Sequence, residues 1–246
     1  MRFVKIIKFG LLLLLLIGNV GPASSSPVDI KLDVKEFQLE NGMMFLVVER
    51  PATPQVAARL SIRAGSALEA TGKTGIAHLL EHMMFKGTKN FGTLDVAKDQ
   101  KLQKQIEEAY QKILSEQQKR NPDQKLIGEK RAEMEKLRAE VQKIYVSQAY
   151  SSQLGKNGAV RVNAFTTKDQ TQYMTSVPSD MLEQWFSITS EQLFEPSWRE
   201  FYVEKEVVQR EWAFRYINDA GGAAWLDLNA AAYSAHPYRN PTIGWK

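Results

Sequence analysis

Two histidines and one glutamate within five consecutive residues are the group in this sequence best suited to chemistry. The segment is His78-Leu79-Leu80-Glu81-His82. An α-helix turns by about 100° per residue, which places Glu81 at about −60° and His82 at about +40° from His78. The three polar side chains therefore share one helix face. Two neutral imidazoles one turn apart can bind a single Zn²⁺, and a neighbouring carboxylate can accept a proton from water.

The surroundings of this segment favour a metal site over an amphipathic helix that carries surface histidines by coincidence. The chain has only three histidines, and two of them lie here. Leu79, Leu80 and the Met-Met-Phe run at 83–85 make the neighbourhood apolar. The order H-x-x-E-H is the inverted arrangement of zinc peptidases. A third protein ligand would leave the fourth coordination position open to water.

The beginning of the chain has the pattern of a secretory signal. Basic residues (Arg2, Lys5 and Lys8) precede an apolar run at 9–20, and small residues follow at 22–27. We expect residues 1–26 to be cleaved, which makes the protein periplasmic or secreted without stable membrane insertion. The 12-residue apolar run is short for a membrane span. An uncleaved, membrane-anchored form is the alternative.

Charge and cysteine content exclude several classes of protein. The net charge is +4, and three of these positive charges lie in the predicted signal, so the mature chain would carry about +1. That balance does not favour nucleic acid as a partner. The chain contains no cysteine, which excludes a disulfide framework, a lipidated cysteine and thiolate zinc ligands.

Hydrophobic periodicity predicts an α+β fold in which a mostly antiparallel sheet is packed by helices. The predicted elements follow the chain in this order: a β-hairpin over 34–48 turning at Asn41-Gly42, a strand at 55–63, the metal helix ending near Gly87, a loop at 150–158, strands at 160–165 and 172–177, a helix opening at 178–180, and further helices from about 197 to 215 and from about 222 to 234.

An α-helical hairpin is predicted as an insertion at about 94–150. The composition shifts there to Lys, Glu and Gln, with Leu and Ile at helical spacing. Asn121-Pro122-Asp123 separates two apolar stripes, which predicts two antiparallel helices. A solvated charged face is the preferred interpretation, and a docking arm for a partner is the alternative.

The predicted helix at 197–215 offers four glutamates as a third metal ligand: Glu200, Glu204, Glu206 and Glu211. Glu204 and Glu211 are seven residues apart and therefore point in nearly the same direction, about 20° apart. One of them could bind metal while the other supports the site. Spacing alone does not choose between them.

Four motifs in one order resemble the pitrilysin/insulinase family of zinc peptidases. They are H-L-L-E-H-M-M-F-K-G-T, N-A-F-T-T-K-D-Q-T from Asn163, E-K-E-V-V-Q-R-E from Glu204 and H-P-Y-R-N-P-T-I-G-W from His236. The likeness covers nearly all of the chain after residue 26 except the helical hairpin. It implies a peptidase that binds one Zn²⁺ per chain.

The resemblance also assigns roles to individual residues. It implies that His78, His82 and Glu211 bind the metal, that Glu81 is the general base and that Glu204 assists the site. Asn163 and Ala164 would lie on an edge strand that pairs with an extended peptide substrate.

Two features depart from the family pattern. The 129 residues from His82 to Glu211 are an unusually long separation, which the hairpin insertion can explain. The chain also ends at Lys246, before the expected end of the first of two related halves. We therefore expect residues 27–246 to form a truncated N-terminal metallopeptidase domain that needs a homologous C-terminal half or partner chain for full activity.

The sequence thus predicts a zinc endopeptidase that hydrolyses peptides or small unfolded proteins bound as an extended strand. One alternative is a non-catalytic or partner-dependent peptide-binding subunit of a two-chain peptidase. A purely structural metal is another, although such sites usually have four protein ligands and His236 is the only histidine left. Manganese or cobalt could replace zinc in the cell.

Overall fold

The computed structural model describes residues 31–245. The predicted signal, residues 1–26, lies outside the described residues. The chain divides into two compact units, one ending at Thr53 and the other beginning at Pro54. Among residues 31–245, no helix is long and apolar enough to cross a membrane.

The first unit contains the predicted β-hairpin. Strand β1 (Val34–Gln38) pairs antiparallel with β2 (Met44–Val48). The turn between them depends on Gly42, whose φ of 88° strongly favours glycine. Phe37 stacks on its register partner Phe45, with ring centroids 5.6 Å apart. Such a cross-strand aromatic pair fixes the register of the hairpin.

The second unit is built on a three-stranded antiparallel sheet in the order β3-β5-β4. The strands are β3 (Gln55–Ile62), β4 (Val160–Thr166) and β5 (Thr171–Pro178). The central strand β5 has the most buried residues, and β4 lies at an edge. Together with the helices, these antiparallel sheets confirm the predicted α+β class.

Seven α-helices complete the second unit: α1 (Ile76–Met83), α2 (Val96–Gln117), α3 (Gln124–Gln142), α4 (Ala149–Lys156), α5 (Leu182–Phe194), α6 (Phe201–Tyr216) and α7 (Ala220–Ala232). The metal motif lies on α1, and the candidate glutamates lie on or beside α6. A short 3₁₀ turn, Met84–Lys86, extends α1 to Gly87.

The helical hairpin forms as predicted from α2 and α3. Asp123 ends the break at 121–123 by accepting hydrogen bonds from the amides of Lys125 and Leu126, which caps α3. The two helices bury a continuous apolar seam, made of Leu102, Ile106, Ala109, Ile113, Ile127, Met134 and Val141 together with Ile144. Tyr202 of α6 packs against this seam, so the hairpin contacts α6.

Two predictions of local structure are wrong. Residues 150–158, predicted as a loop, lie mostly in α4, because Tyr150 and Leu154 are one turn apart and pack with Val177 and Trp185 in a second apolar cluster. Tertiary packing there outweighs the weak helix propensity of the polar residues. The helix predicted from Ser197 begins at Phe201 instead.

Candidate metal centre and active site

The N-terminus of α1 is fixed by a carboxylate outside the helix. The side chain of Glu69 accepts hydrogen bonds from the amides of Gly75 (2.6 Å) and Ala77 (2.7 Å). These amides have no partner within the helix, so the carboxylate satisfies them and complements the helix dipole. Gly75 has a φ of 91°, and a Cβ there would lie 2.5 Å from the carbonyl oxygen of Ile243. These contacts fix the point at which α1 begins, two residues before His78.

His78, His82 and Glu211 come together although 129 residues separate the last two in sequence. His78 Nε2 lies 3.1 Å from Glu211 Oε2, and His82 Nε2 lies 3.5 Å from the same oxygen. Each residue offers one ligand atom, and these atoms lie within 4.8 Å of one another. The second oxygen of Glu211, Oε1, accepts a hydrogen bond from Arg215, one turn further along α6. Arg215 thus holds one oxygen of Glu211, and the other oxygen, Oε2, faces the two imidazoles.

The spacing of these three groups fits a zinc ion. Ligand atoms about 2.1 Å from a tetrahedral Zn²⁺ lie about 3.4 Å from one another, and two of the distances here are 3.1 and 3.5 Å. His78 is buried, whereas His82 and Glu211 are partly exposed, so the group faces an accessible side. Two imidazoles and one carboxylate are a donor set that zinc accepts while keeping a position for water.

Glu81 lies beside this group and has a fixed orientation. Its Oε2 accepts a hydrogen bond from the Thr166 hydroxyl at 2.6 Å and lies 3.5 Å from His78 Nδ1. Burial raises the pKa of Glu81, but His78 and Thr166 outweigh that effect and hold the pKa below its ordinary value. An ionised carboxylate is the form that can accept a proton.

Glu204 contacts the other imidazole. Its Oε2 lies 3.1 Å from His82 Nδ1, and its Oε1 lies 2.6 Å from the ammonium of Lys86. Burial raises the pKa of Glu204, and the hydrogen bonds to His82 and Lys86 lower it to below its ordinary value. For His78, burial acts to lower the pKa, but the carboxylates of Glu81 and Glu211 outweigh that effect and raise the pKa above its ordinary value. Along the contacts of the site, carboxylates therefore alternate with imidazoles and the lysine ammonium.

Asn163 and Ala164 lie on β4, as their motif suggests. They pair in register with Met174 and Tyr173 of β5, which occupies one side of β4. The side chain of Asn163 is exposed. Thr166, at the end of the same strand, contacts Glu81 on α1. An edge strand and the metal-motif helix are thus in direct contact.

The structure brings the predicted residues His78, Glu81, His82, Glu204 and Glu211 into one cluster, with Asn163 and Ala164 on the neighbouring strand. Four further residues support the cluster and were missed from the sequence: Glu69, Lys86, Thr166 and Arg215. Spacing could have indicated Arg215, which follows Glu211 by one helical turn. Lys86 and Thr166 lie inside motifs that the sequence does reveal. Glu69 carries no such signal.

The sequence profile of the insulinase family (peptidase family M16) matches residues 44–109 and 134–245. These two stretches make up well over half of the chain, and they leave out the tip of the helical hairpin. The chain therefore belongs to the insulinase family of peptidases. This result confirms the resemblance stated on the four sequence motifs.

Individual relatives match over shorter stretches or at lower sequence identity. An uncharacterized zinc protease of Rickettsia bellii is 42% identical over 62 residues, which are 25% of this chain and 15% of that protein. A protease from Helicobacter pylori superposes with a TM-score of 0.62 at 22% identity, over 87% of this chain and 39% of that one. An inactive peptidase M16 domain from Pseudomonas fluorescens gives 0.57 at 18% identity, with 87% and 39% covered. The chain thus spans well under half the length of these proteins, and the structural likenesses establish the fold alone.

Proposed function

We propose that this chain is the catalytic part of a zinc-dependent endopeptidase that hydrolyses peptides bound as extended strands. The observation that carries the proposal is the convergence of His78 Nε2 and His82 Nε2 on Glu211 Oε2, with the oriented carboxylate of Glu81 beside them. Membership of a peptidase family and the zinc protease name of the Rickettsia relative support it. We assign His78, His82 and Glu211 as ligands of one Zn²⁺.

When bound, zinc supplies a Lewis acid that polarises a peptide carbonyl and makes water more acidic. The remaining steps fall to side chains. Thr166 holds Oε2 of Glu81, so we assign the proton transfer to Oε1. Glu81 accepts a proton from the attacking water and passes it to the leaving amine nitrogen as the C–N bond breaks. Hydrolysis then yields one carboxylate and one amine.

The substrate would bind along β4. A strand at a sheet edge can add a peptide strand through backbone hydrogen bonds, which give affinity with little dependence on side-chain sequence. Among the described residues, β4 pairs with β5, and Asn163 and Ala164 lie in its middle. Because Thr166 on this strand also holds Glu81, a peptide on β4 would run past the general base.

The domain organisation, the cellular location and the partner are proposed from the sequence. Residues 27–246 would act as an N-terminal metallopeptidase domain, exported by the signal at 1–26 to the periplasm or the outside of the cell. A homologous C-terminal half or partner chain would enclose the substrate together with this domain. The small fraction of the relatives' length that this chain covers is consistent with a second part.

A second candidate function is a peptide-binding subunit without turnover. The inactive M16 domain that shares this fold makes it worth testing. The intact motif from His78 to His82 and the fixed orientation of Glu81 favour catalysis instead.

Hydrolysis of a quenched peptide library by the purified chain, alone and with a homologous partner chain, tests the choice. We expect zinc-dependent cleavage that Glu81→Gln abolishes while one zinc per chain is retained. Glu108→Gln, on the exposed face of α2, is the matched control and should leave cleavage unchanged. A zinc-loaded wild-type chain that cleaves no peptide with or without the partner would favour the binding subunit.

A further inference from the structure

Lys86 is a partly buried cation directly after the helix that carries the metal motif. Its side chain is 19% exposed. The ammonium lies 2.6 Å from Glu204 Oε1 and 3.4 Å from Glu200 Oε2. Lysine is mostly an exposed residue, so an ammonium that is largely withdrawn from water favours a paired charge. Here it is paired with two carboxylates at the beginning of α6.

Glu204 connects this lysine to a proposed metal ligand. One of its oxygens contacts Lys86, and the other lies 3.1 Å from Nδ1 of His82. A carboxylate in this position accepts a hydrogen bond from Nδ1–H, which leaves the lone pair of Nε2 for a metal and fixes the plane of the ring. Glu204 is only 6% exposed, so its charge needs a partner inside the protein. Lys86 provides that partner and also fixes which oxygen faces His82.

Glu200 holds Lys86 from the other side. Its backbone has a φ of 63°, a left-handed conformation that is strained for a residue with a Cβ. Glu200 is the residue directly before α6, and its Oε2 faces Lys86. Its Oε1 accepts a hydrogen bond of 2.5 Å from Gln142 at the end of α3. The contacts therefore run from the helical hairpin through Glu200, Lys86 and Glu204 to His82.

We propose that Lys86 is a positioning residue of the metal centre, which acts through Glu204 on His82. The inference rests on the proposed function only in taking His82 as a metal ligand. Lys86 does not touch the ligand atoms, so its removal should weaken metal binding by loosening Glu204 and His82. If Lys86 merely stabilised the fold, its removal would lower the stability of the protein and leave the metal affinity of the folded protein unchanged.

The test is the zinc affinity of the metal-free full chain, measured by competition with a chromophoric chelator. Loss of a group that orients a metal ligand typically weakens binding by about 10- to 100-fold. Because Lys86 acts one contact further out, we expect Lys86→Met to weaken zinc binding about tenfold. Lys86→Arg keeps the charge and should restore most of the affinity. The visible absorption of the Co²⁺-loaded protein should shift in Lys86→Met, since it reports ligand geometry.

Lys89→Met is the matched control. Lys89 lies three residues further on, and its pair with Glu195 is exposed, at 3.7 Å. This variant should keep both the wild-type affinity and the Co²⁺ spectrum. In a Glu204→Gln background, Lys86→Met should cause no further loss, because the contact through which it acts is already altered.

Three results would overturn the inference: a folded Lys86→Met that binds zinc within twofold of wild type, an equal loss in Lys89→Met, or a full additional loss in the Glu204→Gln background. Circular dichroism establishes folding first. If Lys86→Met does not fold, Glu200→Gln replaces it, with a weakening of about threefold expected and an unchanged affinity contradicting the proposal. Failure of the wild-type chain to bind zinc would instead refute the proposed metal site itself.

Discussion

Arg199 is fully buried, and replacing it with methionine should destabilise the second unit strongly. Its Nε and Nη2 donate to Oδ2 of Asp99 on α2 at 3.0 and 2.6 Å. It also donates to three backbone carbonyls in the segment after α1, those of Lys86, Thr88 and Phe91. One side chain thus joins the segment after the metal helix, the helical hairpin and the start of α6.

The size of the effect follows from burial. Removing one partner of a buried ion pair costs about 3–5 kcal/mol, because the other charge is left without compensation. Asp99 is 3% exposed, so water cannot readily replace the guanidinium. Whole domains are stable by about 5–15 kcal/mol. For a unit of this size the loss corresponds to a fall in Tm of roughly 6–20 °C.

Urea unfolding followed by tryptophan fluorescence is the assay, because all five tryptophans lie after Thr53 and report the second unit. Arg199→Met should lower the free energy of unfolding by about 4 kcal/mol. Arg210→Met is the control: Arg210 is exposed and 4.0 Å from Glu206, so the change should stay within about 0.5 kcal/mol. A loss below about 1 kcal/mol in Arg199→Met, or an equal loss in Arg210→Met, would refute the reasoning.

Two further predictions concern the support of Glu81 and of α1. Thr166→Val removes the hydroxyl that donates to Glu81 and should lower kcat roughly 10- to 100-fold with KM and zinc content unchanged. Thr166→Ser keeps a hydroxyl and should keep most of the activity. A kcat of Thr166→Val equal to that of the wild type in steady-state assays would contradict this role. Gly75→Ala places a Cβ 2.5 Å from a backbone oxygen at a φ of 91° and should cost about 2 kcal/mol or more in urea unfolding. Gly128→Ala, in an open position on α3, should instead stabilise by up to about 1 kcal/mol, and the reverse order would refute the steric argument.

Much of the fold could be predicted because local sequence patterns and tertiary packing agree. Alternating residues and Asn41-Gly42 predict the β-hairpin, and the break at 121–123 predicts the two helices of the insertion. The loop predicted at 150–158 is wrong because only contacts with distant residues such as Trp185 make that segment helical. The late start of α6 has a similar origin, since the buried Arg199 and the left-handed Glu200 are held by other elements.

The candidate site shows the same division. The types and spacing of His78, Glu81 and His82 on one helix indicate their chemistry directly. Spacing alone does not distinguish Glu204 from Glu211 as the metal ligand, whereas the family resemblance implies Glu211. In the structure Glu211 approaches both Nε2 atoms, whereas Glu204 faces Nδ1 of His82. Contacts made across the fold, such as Lys86 with Glu204, have no local sequence signal.

The zinc content of single-residue variants tests the central claim most directly. We expect one zinc per chain in the wild type and in the control Glu206→Gln, whose glutamate is exposed on α6, and in His236→Ala. His82→Ala and Glu211→Gln should lose the metal, with affinities lower by at least about a hundredfold. Retention of wild-type affinity by Glu211→Gln, or loss of zinc from His236→Ala as complete as that from His82→Ala, would contradict the proposed site.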